Sequence, residues 1–75
     1  MSKITKVRVT SSSFIDRIAY DHANLTLSVM FTNGGVTQYF KVGHQVAKDF
    51  MVAESKGKFW NERIRDGYES QQAAS

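Results

Sequence analysis

Among residues that commonly carry reaction chemistry, this chain offers two histidines (His22 and His44), a serine triplet (Ser11 to Ser13) and seven scattered carboxylates. Nucleophilic catalysis requires a hydroxyl held against a base, and that base oriented by a third group. No histidine lies near the serine triplet in sequence, so only folding could bring His22 or His44 to it. Cysteine is absent and the histidines lack ligand spacing, which argues against a structural zinc. The "NGG" at 33–35 lacks the following helix and lysine of a phosphate-cradling loop. The expectation is a protein that is not an enzyme, without cofactor or metal.

Binding chemistry has more material. The stretch "SKGKFWNERIR" at 55–65 carries four of the ten lysines and arginines and the only tryptophan. The N-terminal part adds Lys3, Lys6 and Arg8, which meet no acid until Asp16. A net charge of +3 permits attraction to phosphate without requiring it. On a helix, Trp60, Ile64 and Tyr68 fall four apart and form one stripe, most simply a face docked on a core. Arg63 and Arg65 would point about 200° apart, so one helix cannot aim both at a single phosphate track.

Seventy-five residues make one domain, 1–75, with a thin margin of stability that nine aromatics and possible self-association to a homo-oligomer must supply. The order of its elements is strands first, helices last. Leu25, Leu27, Val29 and Phe31 alternate with Thr26, Ser28, Met30 and Thr32, and Asn33-Gly34 read as a two-residue hairpin turn. That register sets Phe31 opposite Val36 and Leu27 opposite Phe40. It turns Thr26, Ser28, Met30, Thr37, Tyr39 and Lys41 outward, with Arg17 joining from the strand at 14–20. Asp16 breaks the parity of Phe14, Ile18 and Tyr20, which places it near a strand end or in a bulge. "KITKVRV" reads as a further strand.

After the sheet, Val46, Phe50 and Ala53 recur at helical spacing, and Gly57 is placed to end that helix in a left-handed cap. A second short helix carries Phe59, Trp60 and Ile64 and stops at Gly67. The tail, 69–75, has little to bury and is expected to fray. The fold class is α+β: a small antiparallel sheet of three to four strands, followed by one or two C-terminal helices packed on one face. No apolar run approaches the roughly 20 residues that span a bilayer. "MSKITKVRV" has no apolar segment after it to make a signal peptide. A cytoplasmic protein without a membrane partner is expected.

The runs "VTSSSFIDRIAYD", "LTLSVMFTNGGVTQYFKV" and "AESKGKFWNERIRDGY" together resemble the KTSC domain family, over roughly residues 9–68. The landmarks stand here as Ser11 to Ser13, Ile15, Ile18, Tyr39, Ser55, Gly57, Phe59, Asn61, Ile64 and Arg65. The first tyrosine of the family's Tyr-x-Tyr is Thr37, and Gly43 stands where the family often has proline. The resemblance implies a C-terminal extension of lysyl-tRNA synthetases or a free-standing small bacterial or phage protein, and suggests RNA as partner. Core demands explain Phe59, Trp60 and Ile64. Asn61 and Arg65 are left as either a structural pair of contacts, to a loop and a carboxylate, or a contact to phosphate.

The combined expectation is a non-catalytic module for RNA or single-stranded nucleic acid. It would be held by Arg17, Tyr39 and Lys41 on the sheet and by Lys56, Lys58, Asn61 and Arg65 beside it. The alternative is a protein-interaction module that docks on a larger host protein, for which an exposed sheet edge would serve.

Overall fold

The computed structural model describes residues 3–10 and 12–74. Five strands, β1 (Ile4–Arg8), β2 (Ile15–Asp21), β3 (Thr26–Phe31), β4 (Val36–Tyr39) and β5 (Ser70–Ala74), form one antiparallel sheet in the order β1-β2-β3-β4-β5. Between β4 and β5 the chain forms helix α1 (His44–Val52) and a single turn, α2 (Lys56–Phe59), which runs on into a π-helical turn at Trp60–Ile64. The α+β class holds, with one strand more than expected. Ser70–Ala74 pair with β4 rather than fray, and Ser75 lies outside the described residues. A polar edge strand buries few side chains, so its order comes from backbone ladder bonds that no apolar alternation announces.

Helices cover one face only. Beneath them lie Ile18, Tyr20, Leu27, Val29 and Tyr39 from the strands, joined by Ala47, Phe50 and Ile64 from the helical segments. Among the described residues none of the buried side chains is charged. Tyr20 spends its hydroxyl on the carbonyl of Val42, 2.6 Å away, pinning the link after β4 to the middle of the sheet. Asp16 is the extra residue of a bulge in β2, which explains its broken parity and leaves it exposed beside Arg17.

The β3–β4 hairpin departs from the expected register by one residue. Leu27 faces Tyr39 and Met30 faces Val36, in place of Leu27 with Phe40 and Phe31 with Val36. Only Gly34 of the turn takes a positive φ, 94°, while Phe31 N–H donates to Gly35 O and Gly34 N–H to Phe31 O. The loop thus spans three residues, Thr32 to Gly34, with Gly34 forming the bulge position. A one-residue slip exchanges the two faces of a strand, so Thr37 and Tyr39 turn inward while Gln38 and Phe40 turn outward.

One glycine acts differently from expectation. Helix α1 stops earlier, with Ala53 extended as its cap, and Gly57 lies inside α2. Its role is close approach: a Cβ there would stand 2.8 Å from Phe14 Cε1. Ser12 Oγ accepts from the N–H groups of Phe14 and Ile15 and so caps the start of β2; Ser11 lies outside the described residues.

Gly34 is the position on which the hairpin register rests. Gly34→Ala forces an L side chain into a left-handed conformation and should cost about 1–2 kcal/mol, read as a lowered midpoint in urea with unchanged slope.

Candidate functional site

The expected binding residues do not converge. Arg17 lies on the uncovered sheet face, whereas Lys58, Asn61 and Arg65 belong to the helical segments that cover the other face. Lys41 is exposed after β4 with a left-handed φ of 57°. Lys56 is half-buried and its Nζ donates to the carbonyl of Ala53, closing the end of α1. Asn61 and Arg65 satisfy each other, Arg65 Nη1 donating to Asn61 Oδ1 at 3.0 Å on an exposed surface. Among the described residues neither a carboxylate nor a loop holds them.

Tyr39 is the clear correction. It is 3 % exposed, in the core, and its hydroxyl accepts from Trp60 Nε1–H at 2.9 Å. Trp60 in turn meets the rings of Phe14 and Phe31 edge-on, each at 5.5 Å. Phe59 stacks on Phe50, with Arg63 above its ring. The stretch 55–65 is therefore a packing element first. Thr37 shares the inward face, so positions 37 and 39 of this chain are interior and do not form a stacking platform.

The uncovered face presents a different set. Register places Lys6, Ala19, Ser28, Gln38 and Gln71 in one row across all five strands. The next row begins Arg8, Arg17, Met30, Val36, so two arginines stand side by side at the β1–β2 corner. Phe40 and Ile4 flank the first row, and with Lys6, Ala19, Ser28 and Gln38 they help line a trough of about 360 Å³. That volume falls in the roughly 300–1,000 Å³ range of small-ligand sites. The floor is low because Ala19 and Ser28 are small. Asp21 lines one end, where the side chain of Asn24 and the N–H groups of Ala23 and Asn24 hold its carboxyl below the usual carboxylate range.

Phe40, Gln38, Lys6 and Arg8 are the residues that sequence reasoning left out of the site. The signal was present: Lys6 and Arg8 stand with Lys3 in a basic run that meets no acid until Asp16, and a three-residue loop turns Phe40 outward.

Comparison with known proteins places this geometry among relatives. The model of the KTSC domain matches residues 11–68. A lysine–tRNA ligase of Nostoc punctiforme is 35% identical over 60 residues, which is 80% of this chain and 11% of the ligase. A protein of Tsukamurella paurometabola is 40% identical over 50 residues, covering 67% of this chain and 75% of that protein. The crystal structure of a KTSC domain protein from Yersinia pestis superposes with a TM-score of 0.85 at 31% identity, across 93% of this chain and 97% of the other. The chain thus spans about a tenth of the ligase it matches but nearly all of the solved domain.

Two variants separate packing from surface at 55–65. Trp60→Ala removes a ring wedged between Phe14 and Phe31 and should cost about 3 kcal/mol or more. Arg65→Ala, which loses an exposed pair, should stay within about 0.5 kcal/mol of the parent; thermal melts of both decide. Burial also raises the phenols of Tyr20 and Tyr39 above their ordinary value of 10.0. The fold holds them neutral where the unfolded chain ionises, so their contribution is complete below pH 10 and is lost as pH rises through their folded values. Melting temperature should fall above about pH 10, with a shallower fall in Tyr39→Phe, as a series of buffered melts will read.

Proposed function

The chain belongs to the KTSC domain family, and from that premise we propose that it is a non-catalytic module which binds single-stranded RNA on its uncovered sheet face. The observation that carries this reading is the composition of that face. It joins a half-buried ring, Phe40, to amide and hydroxyl groups of Gln38, Ser28 and Thr26, with Lys6, Arg8 and Arg17 along one side. A ring offers a base a stacking surface, amides and hydroxyls match its polar edge, and the cations meet the phosphate track. Asp21 is committed to its turn through three hydrogen bonds, which fits binding better than proton transfer. The matched segment within ligases named for tRNA supports RNA over other polyanions. An RNA partner sets the working compartment as the cytoplasm; among the described residues no helix is long and apolar enough to cross a membrane.

Labelled single-stranded RNA, titrated at low and moderate salt, tests the reading. Three phosphate contacts predict a slope of about −2 in log affinity against log salt. Phe40→Ala should weaken binding by about 1–3 kcal/mol, the value of one stacked base, while keeping the parent melting temperature. Absence of binding at low salt overturns the proposal, as does equal affinity for RNA duplex.

A further inference from the structure

β1 is an edge strand whose outer side meets no strand among the described residues. Its hydrogen-bonding phase follows from two contacts: His22 N–H donates to Lys3 O, and Val9 N–H donates to Asp16 O. In an antiparallel ladder such residues alternate, so Lys3, Thr5, Val7 and Val9 direct their backbone groups to β2. Ile4, Lys6 and Arg8 turn theirs outward. Each of those three presents a free-edge N–H and C=O to the outside.

A bare edge by itself is a hazard that charged side chains commonly blunt. Here something lies beside it that blunting does not call for. Between the inner face of β1–β2 and helix α1 is an apolar hollow of about 360 Å³, walled by Thr5, Tyr20, His44, Met51 and Val52. Val52 is 69 % exposed at its rim. A strand added about 4.8 Å beyond β1 would lay every second side chain over this hollow. Its remaining side chains would stand beside Lys6 and Arg8 on the opposite face.

Charge selects the occupant. Lys3, Lys6 and Arg8 carry no acid between them, and Lys48 lies at the hollow. A second copy pairing β1 with β1 would set these cations against themselves, which cross-strand pairing disfavours. We infer that the β1 edge accepts an extended segment of a partner protein in which acidic and apolar residues alternate. The apolar side chains enter the hollow, the carboxylates meet Lys6 and Arg8, and the backbone bonds Ile4, Lys6 and Arg8. This contact shares Lys6 and Arg8 with the RNA face, so the two occupants compete for those cations. The hollow and the outward backbone groups of β1 are its own, and the contact stands whether or not RNA binds.

The probe is a labelled, end-blocked nine-residue peptide of alternating Glu and Val, with a Lys-for-Glu counterpart as control, read by fluorescence anisotropy at low salt. The Glu peptide should bind saturably and the Lys peptide should not. Ile4→Pro removes one outward N–H and no charge, spares the ladder to β2, and should raise Kd about fivefold to tenfold, the worth of one hydrogen bond. Val52→Glu should weaken the same peptide, and both variants should melt like the parent. The inference is overturned if the Glu peptide fails to bind, if the Lys peptide binds equally, or if Ile4→Pro binds as the parent does. It is equally overturned if the protein sediments as a dimer that Ile4→Pro dissociates, since the occupant is then a second copy.

Discussion

The loop joining β3 to β4 has one residue of positive φ, Gly34, and a length of three, and the parity of that number governs the molecule. Side chains alternate along a strand with a period of two, so loop length decides which half of β4 meets the helices. With three residues in the loop, Tyr39 enters the core opposite Leu27 and Phe40 goes to the open side. Trp60 then finds a hydroxyl to bond inside the fold, and that bond seats the turn carrying Phe59 and Ile64. The trough, its ring and its amide all lie on the other side of the same decision.

The polar atoms that do enter the core arrive with partners. Tyr20 bonds a backbone carbonyl and Tyr39 bonds an indole N–H, so two large rings are buried without stranded hydroxyls. With no charge in the interior among the described residues, the core avoids the desolvation cost of buried ions. Charge is left to the surface, on β1, on the neighbouring part of β2 and on the segment 54–66. One consequence is a division of labour between faces: aromatic bulk holds the helices on, and small or polar residues fill the open side.

Much of this was legible in the chain. Alternation over 25–31, the irregularity at Asp16 and the change of period after Gly43 mark elements that the structure contains. The hairpin register was not legible, because Asn33-Gly34-Gly35 is compatible with both a two-residue and a three-residue loop, and the choice inverts Tyr39. β5 was hidden because "SQQAA" has no apolar alternation, its pairing being a property of the backbone. Spacing at 55–65 identified a docked stripe, but the arrangement of Asn61 and Arg65 depends on side chains that bond each other on the surface. A polar pair that contacts an external partner and one that satisfies itself look alike in sequence.

The trough exists because two residues in the middle of an open sheet, Ala19 and Ser28, are small. What the face accepts is therefore set by volume before it is set by polarity. A longer side chain at either position would occupy space that no rotation of Lys6 or Gln38 restores. Relatives that keep every polar group but differ at these two sites would differ in the size of ligand they admit. Positions whose smallness looks like a packing detail are, on this surface, the dimensions of the receptacle.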